Sequence, residues 1–156
     1  MVRIVLISFL FFCSLEVSGQ LAGSVVSISD GDTFTLLVNK KSLKIRMHGI
    51  DSPEKKQAFG EAAKKYISDL IFDQEVKVQV KGKDRYGRTI GIVSCRGVVI
   101  NEKMLMAGFA WHYKKYDVNP VWAQLEATAR KKRIGLWAHD HPIPPWNFRK
   151  LKRKAP

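Results

Sequence analysis

Only two cysteines, Cys13 and Cys95, occur in this 156-residue chain. Cys13 lies in an N-terminal apolar run, so a chain cleaved beyond it keeps Cys95 alone and can form no intrachain disulfide. That excludes a small domain stapled by disulfides. Cys95 ends an apolar strand and reads as a packed, inert thiol. Acidic residues are also scarce, with 14 Asp and Glu against 27 Lys and Arg, a net charge of +13. Such an excess favours polyanionic partners, with nucleic acid ahead of an acidic membrane surface. Long apolar runs are missing as well. The longest, residues 4–15, falls short of the roughly 20 residues that a membrane span needs. Nothing repeats, and no second domain is visible.

The short apolar run has a job of its own. Arg3 precedes it and Val17-Ser18-Gly19-Gln20 follows, the pattern of a secretory signal peptide cut after Gly19. An uncleaved anchor is the alternative. The expectation is a secreted or periplasmic protein with no stable membrane association after cleavage. Arg3 and Glu16 cancel, so the mature chain keeps the whole positive excess. Residues 20–141 then make one ordinary domain with room for a core. Residues 142–156 form a separate tail.

Within residues 20–141 the first half alternates. Val26 and Ile28 alternate with serines, and Phe34, Leu36 and Val38 follow an Asp-Gly turn. Leu43, Ile45 and Met47 alternate with Lys44, Arg46 and His48, so Arg46 points away from the apolar face. A helix follows, marked by Phe59, Ala62, Ala63, Tyr66, Ile67, Leu70 and Ile71. Val76, Val78 and Val80 make another strand, and Ile90 and Ile92 begin a fifth. A short helix from Asn101 is closed by Gly108, and Pro120 opens a third helix. The pattern is α+β.

The tail changes composition at Pro142. Its prolines are expected to block regular structure, with Trp146 and Phe148 docking on the domain. Five of the six residues from 149 to 154 are basic, which reads as a mobile cationic arm. His139-Asp140-His141 offers too few ligands for a metal site.

One stretch carries chemistry. Asp30-Gly31-Asp32-Thr33, the strand with Arg46, and Ile50-Asp51-Ser52-Pro53-Glu54 place three carboxylates and an arginine at strand ends. Carboxylate oxygens suit a hard divalent cation, and a guanidinium matches phosphate oxygens. Taken alone, the Asp-Gly pair is equally a hairpin turn, and Ser52-Pro53-Glu54 equally a helix start. A second cassette, Asp84-Arg85-Tyr86-Gly87-Arg88, adds cationic donors and a ring for a base.

Together these residues, with Val99-Ile100-Asn101-Glu102 leading to Gly108-Phe109-Ala110, resemble the staphylococcal nuclease family, in its order and over nearly the whole mature chain. The resemblance implies an OB-like five-stranded Greek-key barrel with about three helices. It implies Ca2+ held by Asp32, Asp51 and the backbone carbonyl of Ser52, where the founding member has threonine. It implies catalytic roles for Arg46, Glu54 and Arg88, and substrate contacts by Arg85 and Tyr86. Tyr113 is a further stacking candidate. The connection from Glu54 to the next helix is shorter than in the founding member. The expected activity is calcium-dependent hydrolysis of DNA and RNA, single strands preferred, leaving 3′-phosphate ends, by a monomer. Two other readings fit parts of the chain. An OB-like nucleic-acid-binding module without chemistry fits the barrel, and a basic surface protein fits the charge but not the carboxylates.

Overall fold

Alternation builds the strands first, in a computed structural model that describes residues 19–154. The expected signal peptide, apart from Gly19, lies outside these residues. Strand β1 (Gln20–Asp30) turns through Gly31 and Asp32 into β2 (Thr33–Val38), which pairs antiparallel with β3 (Lys41–Met47). Asn39 and Lys40 both take positive φ, 48° and 63°, as a two-residue turn matched to strand twist requires. A short strand β4 (Ile50–Asp51) leads to helix α1 (Gly60–Ile71). Strands β5 (Glu75–Lys83) and β6 (Thr89–Cys95) follow. β5 pairs with both β1 and β6, and β6 runs parallel to β3 with Ile45 opposite Thr89. That last pairing closes five strands, in the order β3-β2-β1-β5-β6, into the expected barrel.

The remaining elements cover its ends. Two-residue β7 (Val98–Val99) pairs with β6, and β8 (Trp111–His112) pairs with β4. Helices α2 (Ile100–Met106) and α3 (Pro120–Lys131) precede a 3₁₀ turn at Gly135–Ala138 and helix α4 (Pro145–Lys154). Among the described residues there are thus four α-helices where about three were expected. Among the described residues no helix is long and apolar enough to cross a membrane.

Phe34, Leu36, Ile45, Met47, Val76, Val78 and Val93 fill the barrel, and Ala63, Ile67 and Ile71 of α1 cap it. Cys95 is buried there, as its place at a strand end implied. Asn101 is wholly buried and ties α2 to the barrel. Its Oδ1 accepts from Val93 N at 2.9 Å, and its Nδ2 donates to the His48 carbonyl at 2.9 Å. A second cluster joins Trp111, Ala129, Leu136 and Trp137, with Phe59 and Trp146 against it.

Two expectations fail here for local reasons. Val26 is exposed and Val25 is the core residue, because a bulge between Val25 and Ser27 shifts the register of β1 and flips the faces beyond it. The tail is not an irregular strap with a loose arm, since residues 145–154 are helical. Pro145 is the first helical residue, where a missing N–H costs nothing.

Candidate active site

The Asp32 side chain is placed by the turn between β1 and β2. A Cβ on Gly31 would lie 2.7 Å from Ser52 Cβ and 2.9 Å from Ala63 Cβ, so only glycine lets this turn press against Ser52. Asp32 is buried there, its Oδ2 accepting from Ser52 N at 2.6 Å and its Oδ1 from Thr33 Oγ1 at 3.0 Å. Arg46 sits opposite Thr33 in the β2–β3 ladder. Its guanidinium therefore meets Asp32 Oδ2 at 2.5 Å through Nη1, and Asp51 Oδ1 at 2.7 Å through Nη2. Asp51 is fixed in turn by the pairing of β4 with Trp111 of β8.

Glu54 lies in the loop after β4. A Cβ on Gly60 would fall 2.0 Å from the Glu54 carbonyl oxygen, so the start of α1 can close on this loop only as glycine. Glu54 N donates to Gln57 Oε1, and Gln57 N donates to the Glu54 carbonyl. The Glu54 carboxylate is 38% exposed, against 1% for Asp51 and 6% for Asp32. It is the acid that stands at the mouth.

The tail, read above as a loose arm, completes this cluster. Arg149 of α4 places Nη2 2.7 Å from Asp51 Oδ2 and Nη1 2.7 Å from Glu54 Oε1. The chain's sequence offered one unused cue: Pro144-Pro145 before Trp146 and Arg149 is a helix start carrying an aromatic and a cation three residues apart. Asp30 is the other residue that joins the cluster without having been assigned a role of its own. Its Oδ1 accepts from Asp32 N at 3.2 Å. Burial first, then the Asp32 charge, pushes its carboxyl up to about 7. Burial also raises Asp51, with Asp32 adding to it and Arg149 and Arg46 opposing. Asp51 and Glu54 in turn raise Arg149 against its own desolvation. A concentration of negative charge is being held down by guanidinium groups.

These oxygens fit a divalent cation. Among the described residues no three His, Cys, Asp or Glu side chains form a ready-made cage. The Asp32–Asp51 and Asp51–Glu54 pairs nevertheless each converge on one cationic group, a guanidinium standing where a metal ion's charge would serve. Ser52 Oγ is buried beside them without a hydrogen-bond partner. The donor set is hard oxygen, as calcium prefers.

The second cassette forms a tight loop between β5 and β6. Asp84 Oδ1 accepts from Tyr86 N and Arg88 N, and its Oδ2 from Arg88 Nε at 2.6 Å. Burial opposes ionisation, but these bonds from Arg88 and Tyr86 hold the Asp84 carboxyl below its ordinary value. Arg88 is thus turned toward Asp84, and makes none of the ion pairs that join Arg46 and Arg149 to the carboxylate cluster. Tyr86 is 69% exposed, with Arg85 and Arg88 over its ring at 4.9 and 5.6 Å. Tyr113 differs from a free stacking platform. Trp146 lies flat on it, with ring centres 5.0 Å apart and planes at 7°, and Tyr116 meets it edge-on at 4.8 Å. His48 faces Asp117 at 3.3 Å, beside His112, which meets the same carboxylate at 2.9 Å. In the His139–His141 stretch, Asp140 pairs with Arg133 and His139 Nδ1 accepts from His141 N.

Several known proteins are similar to this chain. The family described as Staphylococcal nuclease homologue matches residues 44–139. An uncharacterized endonuclease of Haemophilus influenzae is 46% identical over 83% of this chain and 73% of its own. A micrococcal nuclease of Shigella flexneri is 38% identical over 98% of this chain and 94% of its own. Staphylococcal-like nuclease CAN1 of Arabidopsis thaliana is 44% identical over 72% of this chain, which corresponds to 35% of that longer protein.

Proposed function

The chain belongs to the staphylococcal nuclease family, and from that premise we propose that it is a calcium-dependent phosphodiesterase cutting DNA and RNA. The observation that carries this reading is the placement of buried Asp32 and Asp51 around Arg46, with half-exposed Glu54 joined to Asp51 at the mouth. Buried carboxylates suit a ligand role, and an accessible carboxylate suits a base.

In this proposal Asp32, Asp51 and the Ser52 carbonyl hold calcium. When bound, the ion supplies Lewis-acid polarisation of the phosphate and orients a water. Glu54 accepts that water's proton as attack begins. Arg46, held by Asp32 and Asp51, presents its charge to a phosphate bound beside them and stabilises the negative charge that develops on the phosphate oxygens. Arg88 takes the same role once it exchanges its Asp84 contact for phosphate. Tyr86 and Arg85, exposed on the neighbouring loop, hold an adjacent nucleotide by its face and its phosphate. Tyr113 serves only a base that finds room beside Trp146. Contacts of this kind grip phosphates and rings rather than base edges, which supports action on both nucleic acids. Release of 3′-phosphate ends, preference for single strands, a monomeric state and export through residues 1–19 belong to the same proposal.

The test is incubation of the purified chain with single-stranded DNA or RNA, with calcium or with a chelator. Fragments that need calcium support the reading. A gel shift without cutting would select a binding module in its place.

A further inference from the structure

Arg149 does more than close an ion pair across the fold. It grips both oxygens of Asp51, Nη2 to Oδ2 at 2.7 Å and Nη1 to Oδ1 at 3.1 Å, and reaches Glu54 Oε1 with the same Nη1 at 2.7 Å. Those are the oxygens that the proposed reaction assigns to a cation and to a base. A divalent ion that takes these oxygens competes directly with Arg149, whose fork covers both oxygens of Asp51 and one of Glu54, whereas Arg46 shares a single oxygen of Asp51 and keeps its second contact on Asp32. Arg149 is therefore the counter-ion shared by Asp51 and Glu54.

Helix α4 is held in place by contacts that do not involve these acids. Trp146 stacks on Tyr113 and meets Trp111 edge-on with centres 5.6 Å apart. Just before the helix, the Ile143 carbonyl accepts from Gln57 Nε2 at 2.5 Å. Losing the Asp51 contact thus leaves the helix docked and the arginine at the mouth. Its side chain is 39% exposed, against 14% for Arg46, which is wedged between Asp32 and Asp51. Arg88 is already engaged by Asp84. Among the described residues Arg149 pairs with Asp51 and Glu54 and with no other acid, and once these are taken its planar fork matches the oxygens of a phosphate of the bound strand.

We propose that Arg149 is a third phosphate-binding arginine of this site, one that neutralises Asp51 and Glu54 until a divalent cation takes their oxygens and then turns to the substrate phosphate. The proposal rests on the nuclease reading above. It gives α4, which carries no acidic residue, a role in the site itself rather than at its margin.

Calorimetry separates the two halves. Calcium is titrated into the wild-type chain, Arg149→Gln and Arg149→Lys without nucleotide. Adenosine 3′,5′-bisphosphate is then titrated into each at saturating calcium. Removing a competing charge-assisted contact should tighten calcium binding by Arg149→Gln about tenfold, and removing a phosphate contact should weaken the bisphosphate about tenfold. Arg149→Lys keeps the charge without the fork, so it should recover only part of the bisphosphate affinity. It also reports on the site if Arg149→Gln folds poorly, because a competing lysine keeps calcium binding near wild type. Calcium affinity that is unchanged or weaker in Arg149→Gln, while the wild type binds calcium, would overturn the proposal and leave the nuclease reading standing. Unchanged bisphosphate affinity would do the same. No calcium binding by the wild type, with or without the bisphosphate, would remove both.

Discussion

Trp146 lies flat against Tyr113, their ring centres 5.0 Å apart and their planes inclined by 7°. The stack joins α4 to the loop that follows β8, the strand paired with Asp51. One face of Tyr113 is consequently spent inside the protein, and the helix that bears Arg149 is registered against the site by an aromatic contact. Offset or parallel aromatic pairs of this kind contribute about 0.5–1.5 kcal/mol beyond the area they bury.

Replacing Trp146 by alanine should therefore loosen α4 and lower stability by about 2 kcal/mol, the scale for stripping a half-buried ring from a packed pair. Urea denaturation measures the loss, and limited proteolysis locates it. New cuts should fall in residues 142–154 with the barrel left intact. Cuts distributed over the barrel would mean that the stack supports the whole domain rather than the helix.

Asp117 sets an acid limb to stability. Burial opposes its ionisation, but the Asn119 N–H, His112 and His48 together hold its carboxyl below the ordinary 3.8. A carboxyl lowered in the folded state binds fewer protons there than when unfolded, so stability rises with pH across that interval. Its contribution is fully present above about pH 4 and is lost as pH falls through the lowered folded value. Asp117→Asn should flatten that part of the curve while costing some stability at neutral pH. Urea midpoints measured from pH 3 to 6 on both proteins check it, and parallel curves would remove Asp117 from the account.

How much of this was legible follows from the range over which each signal acts. Ile45 and Met47 flank Arg46 in strict alternation, so the outward direction of the arginine could be read from three residues. The Gly31 turn and the Asp51–Glu54 segment were legible as local patterns, and both stand where the site forms. Val25 and Val26 could not be sorted, because both are valine and a bulge decides which faces inward. Tyr113 was recognised as an aromatic but not as one already covered, since its partner Trp146 lies far along the chain. Arg149 was missed for two reasons. Prolines stop one helix and start another, and local sequence alone does not say which. Its partner Asp51 is 98 residues away, and no periodicity encodes a contact of that separation.

Export makes a simple prediction. If residues 4–15 are the apolar core of a signal peptide, the exported chain should begin at or near Gln20, the first residue of β1. Intact mass or N-terminal sequencing of the exported protein decides it. Met1 retained in a membrane fraction would replace export with anchoring.

The last prediction separates the base from the ligands. Glu54→Gln keeps the side chain's shape and a carbonyl oxygen, but an amide cannot take a proton from water at neutral pH. Loss of a general base typically lowers the rate roughly 10²–10⁴-fold, about 3–5 kcal/mol of barrier. Calcium binding should survive, because Asp32 and Asp51 are untouched and Glu54 is the most exposed of the three acids. Asp51→Ala should do the reverse. It removes a carboxylate that is wholly buried between Arg46 and Arg149, so calcium affinity itself should fall, and added calcium should restore part of the activity. The variant also leaves two guanidinium groups without their shared partner. Breaking a buried ion pair from one side commonly costs about 3–5 kcal/mol, so its folding must be checked by thermal melting before its kinetics are read. Single-turnover cleavage paired with calcium calorimetry distinguishes the two variants. Wild-type cleavage by Glu54→Gln would reduce Glu54 to a loop residue that pairs with Arg149, and the proton would need another acceptor in the same cluster. Asp30, whose carboxyl is pushed up to about 7 beside Asp32, would then be the first position to replace.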